Sequence, residues 1–153
     1  MPLNTEVSFR SARIAEKAAL EALQLRASLA NPGDREALLR NPDAIEIPLA
    51  QLAGGLVFVA ECSGAIVGFA AILAGSDGNS ELDALFVEPS LWRRGYGKGL
   101  LEHCVEAARQ RGSAALRVVG NPHAEGFYTA SGFKLVGTEQ TRFGPGLLMR
   151  REL

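Results

Sequence analysis

Gly95, Gly97 and Gly99 alternate with Tyr96 and Lys98, and Arg93 and Arg94 precede them. A glycine-rich turn that opens a helix has a physical use. The first N–H groups of a helix lack internal partners and carry the positive end of its macrodipole. Glycines leave those amides approachable, and Arg93, Arg94 and Lys98 add positive charge, so the stretch suits a phosphate or pyrophosphate. The plainer alternative is a strand-to-helix turn in which Gly only supplies unusual φ. Two other phosphate loops are absent: Lys98 is followed by Gly99, not Ser or Thr, and the glycine spacing is not that of a dinucleotide fingerprint. For proton transfer the candidates are the carboxylates Glu81 and Asp83, two apart and hence on one face of a strand, and His123, whose ordinary pKa is near ~6.5.

Elements on either side position this loop. Glu81 to Val87 reads as a strand that Glu88-Pro89 ends, since Pro cannot donate to a ladder. Ser90 to Arg94 is a loop. Leu100, Leu101, Cys104, Val105 and Ala108 then repeat at helical spacing, and Gly112 marks the stop. Upstream, Val7 to Arg10 predicts a strand, and Ser11 is an N-cap candidate for a helix over Ala12 to Ala30. A second helix follows over Asp34 to Arg40. Asp43 to Gly55 reads as an extended loop with one helical turn at Leu49 to Ala53. Leu56 to Cys62 and Ala65 to Leu73 are strands joined by the hairpin signal Ser63-Gly64, with Gly68 marking a bulge or a close approach. Downstream come a strand at Ala114 to Val119 and a helix beginning at Asn121 and ending at Ser131-Gly132. Strands at Phe133 to Gly137 and Leu147 to Arg151 flank a turn at Phe143 to Gly146. The order β, α, α, β, β, β, α, β, α, β, β mixes hairpins with crossovers and predicts an α/β fold with a mixed sheet.

The segment LFVEPSLWRRGYGKGLL resembles the acetyl-CoA-binding motif of the GNAT N-acetyltransferase superfamily. In that motif a bulged strand leads into an Arg/Gln-x-x-Gly-x-Gly/Ala loop, and a helix N-terminus receives the CoA pyrophosphate. Gly95 and Gly97 hold the glycine positions, while Trp92 stands where the family usually has Gln or Arg. NPHAEGFYTASGF resembles the family's second motif through Ala124, Phe127, Tyr128, Gly132 and Phe133. With the element order, the resemblance covers nearly the whole chain.

The resemblance implies the GNAT fold: a mostly antiparallel central sheet of six to seven strands, flanked by about four helices, as one domain over residues 1–153. It implies acetyl-CoA as co-substrate, with no metal, held by Leu85, Phe86, Val87, Arg93, Arg94, Gly95, Tyr96, Gly97, Lys98, Gly99, Asn121 and Phe127. The family places an oxyanion donor on a free N–H of the bulged strand, near Phe86 or Val87. Tyr128 is the implied acid toward the leaving thiolate. Glu81 stands where histone-acetylating members hold their base, although other members use different groups or water. The implied activity is direct acetyl transfer to a primary amine of a small molecule or a protein. A non-catalytic acyl-CoA-binding or sensing module of the same fold, or another phosphate binder, are the readings that compete with it.

Bulk properties narrow the classes further. The chain has 153 residues, enough for one domain with a sizeable core. Its net charge of -1 leaves no basic footprint for nucleic acid. No apolar run approaches the ~20 residues needed to span a bilayer, and no membrane partner is expected. Cys62 and Cys104, the only two cysteines, do not form a zinc spacing with the two histidines. Cys104 falls on the apolar helix face and reads as core. A reducing, cytoplasmic setting is the default. The amine acceptor is not legible: Asp43 and Glu46 are acidic candidates for attracting it, and a homodimer is left open.

Overall fold

The protein is described by a computed structural model covering residues 7–75 and 77–153, without the side chains of residues 32 and 33. A seven-stranded sheet has the order β1-β2-β3-β4-β5-β7-β6. Its strands are β1 Val7–Ser11, β2 Val57–Cys62, β3 Ala65–Ala74, β4 Ser80–Val87, β5 Ala115–Gly120, β6 Lys134–Thr141 and β7 Gly144–Glu152. The helices are α1 Lys17–Ala30, α2 Pro32–Arg40, α3 Leu49–Ala53, α4 Tyr96–Gln110 and α5 Glu125–Ala130. Every neighbouring pair is antiparallel except β4 and β5, which α4 joins as a crossover. The fold expected for a GNAT domain is therefore the one observed.

Helices cover both faces of the sheet. On one face α4 buries Leu100, Leu101, Cys104, Val105 and Ala108 against Phe58, Ala70, Leu82 and Leu116. On the other, Leu20 and Leu23 of α1 and Leu52 of α3 pack on Val59, Phe69 and Ala71. Each fully buried Leu or Val contributes about 1.5–3 kcal/mol to this arrangement. Gly68 has both features expected of it. The register skips Val67, since Ala60 pairs with Gly68 while Glu61 pairs with Ile66. A Cβ at Gly68 would also lie 2.8 Å from the Phe86 carbonyl oxygen and 3.0 Å from Leu100.

Two boundaries differ from expectation. Ser11 is not a helix cap: it is the last residue of β1 and pairs with Phe58. Ala12 N–H then donates to the Val57 carbonyl, so the sheet holds the chain one residue further. The helical path starts with a 3-10 turn at Ile14–Glu16, where Glu16 accepts from the Arg13 N–H at 2.8 Å. At the far end, β6 and β7 are longer than the apolar pattern suggests. Thr141 Oγ1 donates to the Gly144 carbonyl and accepts from the Phe143 N–H, which closes the hairpin at Arg142-Phe143. β6 is almost wholly exposed, so little apolar patterning marked its length.

Candidate active site

The central feature is a change of phase in β4. Leu82 lies on the α4 face, and strict alternation would put Ala84 and Phe86 there too. They lie on the α1 face instead, while Leu85 and Val87 pack toward α4. The extra residue is Asp83: Ile72 pairs with Leu82 and Ala71 with Ala84, so Asp83 has no partner in β3. The bulge thus sits earlier than the Phe86–Val87 region expected to carry the oxyanion donor. Beyond it β4 also leaves β5, since their pairing covers only Ser80 to Leu82. Glu88 N–H donates to the Val67 carbonyl. Antiparallel alternation then turns Phe86 toward β3, and Leu85 and Val87 toward the open side. Trp92 Nε1 donates to the Val87 carbonyl at 2.8 Å, which places that peptide edge on the open side. Of the two expected oxyanion donors, Val87 has the required direction and Phe86 does not.

The gap between β4 and β5 opens into two cavities. The first, of about 870 Å³, runs from the glycine loop to α5 and is lined by Leu85, Phe86, Val87, Trp92, Arg93 and the Gly95–Lys98 backbone on one side. Asn121, His123, Phe127 and Tyr128 line the other. Arg93 (φ 66°) and Gly95 (φ 90°) are both left-handed, which curls the loop into a concavity of the kind that binds anions. No side chain caps the N-terminus of α4, so its first amides remain available. Among the described residues nothing demands glycine at Gly97: a Cβ there would make ordinary contacts, 3.7 Å to Val87 and 3.8 Å to Phe127. Its bareness serves the space in front of it. Gly99 has a different job, because a Cβ there would strike the Phe9 ring at 2.4 Å. Gly99 and Arg94 both stand outside the cavity lining, unlike the other expected cofactor-binding residues.

Tyr128 lines this cavity and is 8% exposed. Its ring packs edge-on against Phe127 and Phe133, at centroid distances of 5.2 and 5.5 Å. Gly120 lets it lie over the end of β5, since a Cβ there would be 3.1 Å from the ring. Burial, and then nearby Cys104, push its hydroxyl up to about 12, so it keeps its proton at neutral pH. Cys104 is itself pushed up to about 12 by burial and is an inert core residue. Asn121 is already engaged: its Oδ1 accepts from the His123 N–H, and its Nδ2 donates to Asp34 Oδ1 at 2.7 Å. Asp34, from α2, is a wall residue that sequence reading missed. No motif marks it, because the contact joins positions far apart in the chain.

The second cavity, of about 640 Å³, lies across the gap. Asp34, Leu82, Asp83, Ala84, Phe86 and Asn121 border both cavities. Glu81 and Asp83 face it together, as two-residue spacing predicts. Burial first, then the Asp83 charge, raise the Glu81 carboxyl above its ordinary value, against the opposing pull of Arg117. His123 lines only the first cavity. Glu46 lines the second and pairs with Lys17. Asp43 is outside the lining and pairs with Arg142 at 3.0 Å. Among the described residues no cluster of His, Cys, Asp and Glu could hold a metal ion, and no helix is long and apolar enough to cross a membrane.

The profile of the Acetyltransferase (GNAT) family matches residues 19–133, which span the bulge, the loop and α5. The chain belongs to the GNAT acetyltransferase family. Uncharacterized N-acetyltransferases of Mycobacterium bovis and Mycobacterium tuberculosis are 34% identical over 93 residues. That match covers 58% of this chain and 58% of each relative's length. Among solved structures, the Thermoplasma acidophilum PaiA N-acetyltransferase in complex with coenzyme A superposes with a TM-score of 0.79. It is 18% identical and covers 96% of this chain and 99% of that one, a likeness of fold. A ribosomal-protein-alanine N-acetyltransferase of Brucella melitensis has a TM-score of 0.70 at 26% identity, covering 95% and 99% of the two chains. The GNAT loop of this chain carries Trp92 where the family usually has Gln or Arg. Its indole ties the loop back to β4 by the bond to Val87.

Proposed function

We propose that the protein moves an acetyl group from acetyl-CoA directly to a primary amine, with both substrates bound at once. The observation that carries this reading is the splayed β4–β5 pair, which joins an anion-suited cavity to a second, acidic one beside a free edge of β4. The residues fit the donor. The concave loop and uncapped amides of α4, with Arg93 and Lys98, suit its pyrophosphate, and the gap beside Leu85 and Val87 suits an extended arm. Acetyl-CoA supplies an activated thioester.

The chain's own groups then have separate tasks. Val87 N–H is the donor for a thioester carbonyl oxygen. Glu81 accepts a proton from the amine, which reacts only when neutral and has an ordinary pKa near ~10.4. Tyr128 donates to the departing sulfur. With its pKa about 12 and an ordinary thiol near ~8.5, full transfer from Tyr128 alone is uphill. Its proton moves as the spent amine proton comes in behind it. In the net exchange a C–N bond replaces a C–S bond. The ammonium loses two protons, one through Glu81 and one that ends on the thiol.

The direct test is thiol release from acetyl-CoA across an amine panel. Amine-dependent release is expected. Tight CoA binding with no release for any amine would replace this reading with a non-catalytic acyl-CoA-binding or sensing module.

A further inference from the structure

β6 is the outer strand of the sheet, and its far edge has no neighbouring strand among the described residues. An edge strand presents a row of unpaired backbone N–H and C=O groups, which natural proteins blunt by shortness, Pro or cover. β6 lacks all three. It is eight residues long, contains no Pro, and is exposed at six of its eight positions. Leu135 and Val136 stand side by side on it, 50% and 56% exposed.

The charges on this strand form a self-complementary pattern. Lys134 lies opposite Arg150 of β7, and Glu139 lies opposite Gly146. Opposed residues of an antiparallel pair share a face, and Gly146 and Arg150 are four apart, so Lys134 and Glu139 share one face. Strict alternation over five residues would have put them on opposite faces. The register skips Val136, between Leu135 and Gly137, and this brings them together. Their common face is that of the second cavity, which Glu139 lines. Within one copy each of these charges meets its own sign. Lys134 is directly across from Arg150, an unfavourable cross-strand pairing, and Arg150 turns instead to Glu152 at 3.0 Å. The Glu139 charge acts on Glu81, another carboxylate. Among the described residues neither Lys134 nor Glu139 has an ion pair. Two unpaired charges of opposite sign, placed symmetrically about the Val136–Gly137 peptide, are what a two-fold contact between identical surfaces needs.

We propose that β6 pairs antiparallel with β6 of a second copy of this chain, about a two-fold axis at the Val136–Gly137 peptide. Lys134 of each copy then stands opposite Glu139 of the other, and the two sheets run on as one. On the opposite face, where Leu135 and Thr138 lie across from Met149 and Leu147 of β7, Leu135 of each copy meets Thr138 of the other. Two attractive pairs form, and each offsets a like-charge contact inside a copy. The pairing also brings Lys134 of the second copy to Glu139 at the second cavity, whose described lining holds no Lys, Arg or His. The second copy thereby supplies that cavity with a cation that the chain itself does not place there.

Sedimentation velocity on the whole chain, over a range of protein concentrations, tests this. The parent should show a monomer–dimer equilibrium that weakens with added salt. Lys134→Glu and Glu139→Lys should each raise the dissociation constant at least about tenfold, because each turns both attractive pairs into repulsive ones. The discriminating sample is an equimolar mixture of the two variants. A mixed pair again sets unlike charges opposite each other at both positions, so the mixture should dimerise where neither variant does alone. The double variant, with both charges exchanged, should dimerise like the parent. A parent that stays monomeric at every concentration overturns the proposal. So does a dimer that neither single variant weakens, or a mixture that stays monomeric while circular dichroism shows both variants folded.

Discussion

The charged end of the first cavity is made largely of backbone: left-handed Arg93 and Gly95, the bare Gly97, the uncapped start of α4 and the free edge of β4 at Val87. The acidic side chains of the second cavity come from α2, the α2–α3 loop, β4 and β6, with Gln51 from α3. A backbone site recognises what all donors of one kind share, and it tolerates exchange of most side chains. A side-chain site recognises one acceptor and can be rebuilt without touching the sheet. The bulge at Asp83 serves both, because it turns Ala84 and Phe86 to the face that the two cavities share, and Leu85 and Val87 to the face that borders the first alone.

The largest expected effect lies in the first cavity, at Tyr128. Tyr128→Phe keeps the ring that packs on Phe127 and Phe133 and removes the hydroxyl. Acid catalysis contributes ~100- to 10,000-fold in general. The uphill transfer from Tyr128 puts this case near the low end. We expect kcat to fall about 100-fold, with the Michaelis constant for acetyl-CoA little changed. A kcat within about twofold of the parent, with chemistry shown to limit the rate, would make Tyr128 a packing residue.

Gly97→Asp tests the backbone half alone. The new Cβ meets Val87 and Phe127 only at ordinary distance, so the fold should survive. The carboxylate would repel an anion from the loop amides, and CoA affinity should fall at least about tenfold, or ~1.4 kcal/mol. Unchanged affinity by calorimetry would move the phosphate site elsewhere. Trp92→Phe is a milder test of the same half. It keeps an aromatic ring and deletes the 2.8 Å bond to the Val87 carbonyl. A neutral hydrogen bond contributes about 0.5–1.5 kcal/mol, so a loss of roughly two- to tenfold in kcat/KM for acetyl-CoA is expected. A larger loss would mean that the indole touches the donor itself.

The same contrast explains what the sequence disclosed. The glycine loop, Tyr128 and the strand order were legible because backbone sites need glycines and short contiguous motifs. The helical turn expected at Leu49–Ala53 is present as α3, although the segment around it was the least readable of the chain. The acidic wall was not, because Asp34, Gln51 and Glu139 are single residues on separate elements, and only topology unites them. The position of the bulge was also hidden. Nothing in LDALFV says which residue is skipped; the packing of Phe86 on Phe69 decides it, at a centroid distance of 5.7 Å. Gly99 was legible as a glycine but its packing against Phe9 was not, since Phe9 lies some ninety positions earlier.

The smallest predicted effect is a shift along the pH axis, and it probes the seam between the halves. If Glu81 accepts the amine proton, it must be ionised, so kcat at saturating substrates rises with pH through its titration. Burial is the first cause holding that titration above the ordinary carboxylate value, and the Asp83 charge is the second. Asp83→Asn removes the second cause and leaves the first. It also keeps an acceptor for Gln51 Nε2, so the wall need not rearrange. The Glu81 carboxyl should then ionise at lower pH, and the acid limb of the kcat profile should move toward acid while staying above that of a free glutamate. Glu81→Gln should abolish the limb and lower kcat. An unmoved limb in Asp83→Asn, with the Glu81→Gln limb still present, would assign the base to a bound water or to another group. The second cavity would then hold the amine without deprotonating it.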